Sequence, residues 1–155
     1  MDDESESVLI PFETGVRLQD LPDSKEYPAQ YGSKYSVTGV ILKMRQARKV
    51  PLARQVEVNG RQVALWRYSN QVFATSPICP HQGSNLVLGD LEDIGNGLSI
   101  TCPAHCWRFE VISGDCVNHK ESSPLTIYPV FVDSYGRIFV EFESFDSSLF
   151  SSQDF

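Results

Sequence analysis

Two short stretches of this chain decide its fold. Residues 79–89 read CPHQGSNLVLG, and residues 102–109 read CPAHCWRF. The first stretch places Cys79 beside His81, and the second places Cys102 beside His105. Thiolate and imidazole are both ligands that transition metals accept in proteins. The sequence therefore predicts a metal centre held by two loops, each of which supplies one cysteine and one histidine.

The mixing of ligand types within each loop favours an iron–sulfur centre over zinc. Two cysteines and two histidines also suit tetrahedral zinc, so a zinc site stands as the alternative. Zinc motifs, however, usually group cysteine with cysteine and histidine with histidine. A two-iron cluster with cysteines on one iron and histidines on the other needs mixed loops. Pro80 and Pro103 stiffen those loops by fixing φ, and Gly83 permits a close backbone approach to the cluster.

Both stretches resemble the Rieske [2Fe–2S] family. The family pattern Cys-Pro-His-x-Gly-x-x-Leu-x-x-Gly is similar to residues 79–89 at every fixed position. Its second pattern, Cys-Pro-x-His-Gly-Trp-x-Phe, is similar to residues 102–109 except that Cys106 replaces the glycine. The resemblance extends over residues 56–142. Within the family, residues 89–93, which read GDLED and lead into the second stretch, look most like the small stand-alone Rieske-domain proteins of eukaryotes.

The resemblance implies a fold, a cofactor and a function. The fold would be all-β, of antiparallel sheets with two cluster-binding loops at one tip. A [2Fe–2S] cluster would be held by Cys79 and Cys102 on one iron and by His81 and His105 on the other. The protein would be a single-electron carrier of the ferredoxin type. It would accept electrons from a flavin or ferredoxin-type reductase and donate them to an oxygenase or other redox acceptor.

Departures from the high-potential members of the family predict a low reduction potential. Those proteins resemble one another in a disulfide between the cluster loops, at positions occupied here by Ser84 and Ala104. They also carry serine and tyrosine hydroxyls where this chain has Trp107 and Phe109. Hydrogen bonds to cluster sulfur favour the reduced state, so the absence of these hydroxyls should lower the reduction potential. We therefore expect a potential below zero, within the family range of roughly −150 to +300 mV.

Five residues near these motifs receive more ordinary interpretations. Trp107 and Phe109 stand at alternate positions, so one face of this segment should pack as core under the cluster. Cys106 is interpreted as a small buried residue rather than a redox-sensitive thiol, and a disulfide with Cys116 is disfavoured in a reducing compartment. His119 lies in a polar loop and is predicted to be solvated.

The remaining local signals are those of β structure. Asn59-Gly60 predicts a tight hairpin turn, and Ser134-Tyr135-Gly136 predicts another. Pro28, Tyr31-Gly32 and Tyr35 indicate a loop. Elsewhere, turn residues separate short alternating or β-branched runs. Residues predicted as strands are 56–58, 63–66, 72–75, 98–101, 107–111, 126–132 and 137–142, with 37–44 as one further strand.

Length and charge restrict the organisation and the partners. A chain of 155 residues suits one domain, and residues 8–143 are assigned to it, with 25–50 as a candidate insertion. Residues 1–7 are predicted to form a flexible acidic tail. Residues 144–155 are predicted to form a C-terminal tail, which Phe145, Phe150 and Phe155 could dock onto the domain. The net charge of −7 disfavours nucleic acid and anionic membrane as partners. No leader or bilayer-spanning run is evident, which predicts a cytoplasmic location.

Other functions remain to be weighed against the carrier. A Rieske oxygenase also needs a mononuclear iron bound by two histidines and a carboxylate. The chain has three histidines, so only His119 is left once the cluster ligands are assigned, and this chain is not predicted to be an enzyme. A small Rieske subunit of a larger oxidoreductase, such as a nitrite reductase, and a redox-sensing binding module both stay as alternatives.

Overall fold

Antiparallel β-strands make up the regular structure. The computed structural model describes residues 8–35, 37–39, 41–46, 48–95, 97–103 and 107–145. Within these ranges there is no α-helix, only three short 3₁₀ turns. The all-β prediction is confirmed. The strands are β1 (Ile10–Arg17), β2 (Tyr31–Tyr35), β3 (Ile41–Arg45), β4 (Arg54–Val58), β5 (Arg61–Tyr68), β6 (Gln71–Thr75), β7 (Asp90–Asp93), β8 (Leu98–Thr101), β9 (Arg108–Glu110), β10 (Ile127–Tyr128), β11 (Val130–Val132) and β12 (Arg137–Phe142).

These strands form four sheets. Their orders are β1-β12-β11, β10-β6-β5-β4, β2-β3 and β7-β8-β9. The first two sheets face each other across an apolar layer, here called the sandwich core. Its buried residues are Val16, Leu21, Val58, Val63, Leu65, Ala74, Ile138, Val140 and Phe142.

A second apolar layer lies on the opposite face of β5. This loop core contains the buried residues Leu52, Ala53, Ala64, Trp66, Cys79, Leu86, Val87, Leu91, Ile100, Cys102, Phe109, Val111, Cys116 and Leu125. Side chains alternate across a strand, so Val63 and Leu65 enter the sandwich core while Ala64 and Trp66 enter the loop core. All four are fully buried, which explains the unbroken apolar run in the sequence.

Turn chemistry agrees with two of the predicted hairpins. Asn59 and Gly60 connect β4 to β5 with φ of 53° and 75°, the paired positive values that an Asn-Gly turn supplies. The Asn59 amide also donates to the Ser144 carbonyl at 2.9 Å. Strands β11 and β12 pair across the turn around Tyr135. Both hairpin predictions are confirmed.

Three sequence predictions about strands are wrong. Residues 37–44 are not one strand and residues 31–35 are not loop, because β2 and β3 pair as a hairpin whose turn contains Gly39 at φ +84°. Residues 126–132 are divided between β10 and β11, which belong to different sheets. The chain changes sheet at Pro129, which lacks the N–H that a continuing ladder would use. Strand β1 was not predicted at all.

Candidate metal centre

The first ligand stretch forms a tight loop after β6. The Cys79 N–H donates to the Ser84 carbonyl at 2.8 Å, and the Gly83 N–H returns to the Cys79 carbonyl at 2.9 Å. Gly83 has φ +75°, a conformation that glycine adopts without steric cost. Further along, the Leu86 N–H donates to the Pro77 carbonyl at 2.8 Å. These bonds close the loop and turn Cys79 inward.

The second stretch connects β8 to β9. Cys102 follows β8 directly, and its N–H donates to the Trp107 carbonyl at 2.8 Å. This bond joins the two described ends of the second ligand stretch, Cys102 and Trp107. Residues 104–106 lie outside the described residues, so the predictions for Ala104, His105 and Cys106 stay predictions.

The two loops bring Cys79 and Cys102 together in the loop core. Their exposed fractions are 1% and 0%. Burial raises the pKa of the Cys79 thiol, and the neighbouring Cys102 side chain raises this pKa further, whereas N–H groups of His81 and Gln82 directed at its sulfur oppose the rise. Two thiolates this close in an apolar layer would repel each other.

Iron cations at these sulfurs would remove that repulsion, because a coordinating thiol is held deprotonated by the metal charge. The donor set therefore fits a cluster with both cysteines on one iron. No three His, Cys, Asp or Glu side chains among the described ranges form a group around one point. This finding is compatible with a Rieske centre, in which each iron has only two protein ligands.

His81 directs its backbone N–H at the Cys79 sulfur, and its ring is stacked against Trp107. The ring centroids of His81 and Trp107 are 3.6 Å apart with 9° between their planes. His81 is half-buried, and its Nδ1 atom is shielded from solvent. The other face of Trp107 is covered by His119, at 3.9 Å and 18°. The prediction that His119 is merely solvated is therefore wrong in part, since its ring is exposed yet in contact with the indole.

The structure also describes the packing of four other residues for which the sequence supported a prediction. Phe109 is fully buried in the loop core, as predicted, and Trp107 packs against that core. Cys116 is buried with a free thiol, which agrees with the expectation of no disulfide there. Phe145 docks edge-on against Phe12 at 5.4 Å, whereas Phe150 and Phe155 lie beyond the described ranges.

Sequence reasoning missed two glycines that fit the loops together. A Cβ on Gly89 would lie 2.4 Å from the Thr101 carbonyl oxygen, and one on Gly114 would lie 2.1 Å from the Leu125 carbonyl oxygen. No side chain fits at either distance. Gly89 is the last fixed residue of the first family pattern, so the motif itself held the signal.

Comparison with known proteins assigns this geometry to a family. The model of the Rieske [2Fe-2S] domain matches residues 32–129. The ferredoxin component of the naphthalene 1,2-dioxygenase/salicylate 5-hydroxylase systems of Ralstonia sp. is 31% identical over 88 residues, which cover 57% of this chain and 80% of that protein. This chain belongs to the Rieske [2Fe–2S] domain family, and its cofactor is a [2Fe–2S] cluster.

Solved structures agree with this assignment at the level of the fold. The ferredoxin of carbazole 1,9a-dioxygenase from Nocardioides aromaticivorans superposes with a TM-score of 0.58 at 23% identity, covering 84% of this chain and 95% of that one. The nitrite reductase [NAD(P)H] small subunit of Erwinia carotovora gives 0.50 at 20% identity, covering 83% and 79%. Within the described ranges, no helix is long and apolar enough to cross a bilayer.

Proposed function

We propose that this chain is a single-electron carrier, a Rieske-type ferredoxin. In this proposal Cys79 and Cys102 hold one iron of the [2Fe–2S] cluster, and His81 and His105 hold the other. The observation that carries it is the meeting of two buried thiols from separate loops, with the half-buried His81 directing its backbone N–H at the Cys79 sulfur. When bound, such a cluster accepts and releases one electron at a potential that its ligands and surroundings set.

The surrounding residues divide the site into a dry side and an open side. The cysteines lie within the loop core, where Leu86 and Phe109 exclude water. The ring of His81 is only half-buried, so the histidine side faces the protein surface. Electron exchange with a partner would take place on that side, while the buried thiols anchor the cluster.

The related proteins support partners of two kinds. Relatives are ferredoxin components of dioxygenase systems, which supports a reductase as donor and an oxygenase or other redox protein as acceptor. The net charge of −7 favours a partner with a basic face.

Having only three histidines, the chain lacks the side chains for a separate oxygenase iron. It therefore acts as a carrier and not as an enzyme, in a reducing, cytoplasm-like compartment.

The domain that performs this role spans residues 8–143. Strand β1 pairs with β12, and both lie outside the residues that the family model matches. Their side chains, including Val16 and Val140, fill the sandwich core. The flanking tails, 1–7 and 144–155, are assigned no chemistry, and the β2–β3 hairpin corresponds to the candidate insertion.

A small subunit of a larger oxidoreductase is the second candidate. It is favoured by the fold likeness to a nitrite reductase small subunit. Copurification discriminates the two, because a subunit stays with its oxidoreductase through gel filtration whereas a carrier elutes alone. A redox sensor would bind its partner according to cluster state without passing electrons.

The proposal is tested on protein purified anaerobically. Iron and acid-labile sulfide are assayed, and EPR of the reduced form is recorded during a redox titration. We expect two irons and two sulfides per chain (the composition of a [2Fe–2S] cluster), a rhombic spectrum and a negative midpoint potential. Zinc in place of iron, or no reducible centre, would overturn the function. A clearly positive midpoint would overturn the low-potential prediction alone.

A further inference from the structure

Three aromatic rings form a continuous stack beside the proposed cluster ligands. Trp107 lies between the imidazoles of His81 and His119, with centroid separations of 3.6 Å and 3.9 Å. The interplanar angles are 9° and 18°, so both contacts are face to face. His81 comes from the first ligand loop, Trp107 from the end of the second, and His119 from the segment after β9.

Backbone hydrogen bonds hold His119 in this position. The Val117 N–H donates to the Arg108 carbonyl at 2.8 Å, and the Arg108 N–H donates to the side chain of Asn118 at 3.1 Å. His119 itself begins a turn, in which its carbonyl accepts the Ser122 N–H at 2.9 Å. The segment is thus fixed to β9 directly beside Trp107. The contact between Trp107 and His119 is a built feature rather than a chance approach of two exposed rings.

The stack restricts the orientation of the His81 ring. The plane of a histidine ring is set by the side-chain torsions χ1 and χ2, and packing against the faces of the ring favours one pair of these torsions. Trp107 covers one face of His81, and packing on the outer face of the indole would favour the rotamer that keeps it there. His119 covers that outer face. Aromatic pairs add stabilisation beyond the area that they bury.

We propose that His119 is a positioning residue for electron transfer, which holds Trp107 flat against His81 and thereby fixes the ring plane of this ligand. The inference rests on the proposed function, because it takes His81 as a cluster ligand. His119 acts only through Trp107.

The test compares His119→Ala, His119→Phe and His119→Gln in the cluster-loaded protein, with Lys120→Ala as a neighbouring surface control. His119→Ala should broaden and shift the rhombic EPR signal. It should also speed the loss of the cluster in air by about twofold to thirteenfold, the range that one aromatic pair represents. His119→Phe should restore both values towards wild type. His119→Gln, which keeps polarity without a ring, should resemble His119→Ala, and Lys120→Ala should resemble wild type.

Unchanged EPR and cluster lifetime in His119→Ala would overturn the inference, and so would rescue by glutamine but not by phenylalanine. A second readout does not need iron. In the cluster-free protein, NMR signals of the His119 ring should be shifted upfield by the indole and should lose that shift in Trp107→Leu. Wild-type protein that never acquires a cluster would instead refute the proposed function. Wild-type protein that acquires the cluster, but whose His119 signals are unshifted in the cluster-free form, would refute the stack alone.

Discussion

The sandwich core and the loop core are held together in different ways. In the sandwich core nearly every buried residue lies on a strand that pairs residue by residue with a neighbour. In the loop core, Ile100 and Phe109 also lie on paired strands. The ligand loops of this core, however, are fixed by single bonds, such as those from Cys79 to Ser84 and from Cys102 to Trp107. The first region takes its stability from apolar area. The ligand loops of the second region take their geometry from a few backbone hydrogen bonds, and no neighbouring bond among the described residues would replace one that is lost.

Replacing a cysteine should have the largest effect and should affect the two regions unequally. Cys102→Ser removes a buried thiol that we assign to the cluster, so we expect no stable [2Fe–2S] centre and no rhombic EPR signal. The sandwich core contains neither cysteine, so the β-type far-UV circular dichroism should persist. Cys116→Ser is the matched control, because Cys116 is a buried free thiol of the same core that we assign no iron. Loss of the cluster in both variants would contradict the ligand assignment.

Leu65→Ala should produce the reverse pattern. Leu65 is fully buried in the sandwich core, and truncation of such a leucine costs about 2–5 kcal/mol in the free energy of unfolding. Denaturant unfolding of the loaded protein measures this cost. The EPR signal of the folded variant should match wild type, since Leu65 does not enter the loop core. An altered spectrum would show that the separation between the two regions is wrong.

Gly89→Ala tests how strictly the loop core is fitted. Its Cβ would lie 2.4 Å from the Thr101 carbonyl oxygen and 3.0 Å from the Leu86 carbonyl oxygen. Overpacking against backbone costs about 1–3 kcal/mol, and here we also expect weaker cluster retention. Gly32→Ala is the control, because its Cβ would meet only the end of the Gln46 side chain. Equal unfolding free energies for both variants would argue against the tight fit at Gly89.

The smallest expected effect concerns the pH dependence of stability. Asp23 accepts N–H groups of Ser69 and Lys25 at 2.7 and 3.0 Å, and the bond from Ser69, the largest cause, lowers the pKa of the Asp23 carboxyl. This stabilisation is present above the ordinary carboxyl pKa and is lost as the pH falls through the lowered value. The midpoint temperature of thermal unfolding should therefore fall less on acidification in Asp23→Asn than in wild type. Parallel curves would contradict this role.

Local signals account for what could be predicted from the sequence. The ligand motifs, the apolar run 63–66 and the Asn59-Gly60 turn each carry their information within a few residues. Strand β1 escaped notice because Pro11 and Gly15 interrupt its pattern. Proline is tolerated at the edge of a sheet, and β1 is an edge strand that pairs with β12 far along the chain.

The ring stack could not be predicted for a similar reason. His119 has polar neighbours in the sequence, and nothing local distinguishes it from a solvated loop residue. Its place depends on bonds that join its segment to β9. Motif spacing predicted the ligands, whereas the contact on the far side of Trp107 follows only from tertiary structure.

Strand β5 makes the two regions one thermodynamic unit. A strand that buries alternate side chains in two layers cannot release one layer and keep its hydrogen-bonded ladder intact. Cofactor binding stabilises the native state. Because the two regions unfold together, this stabilisation should also slow hydrogen exchange of backbone amides on the opposite side of the domain. Loss of iron should be detectable as faster deuterium uptake at Val140, which lies in β12 of the opposing sheet.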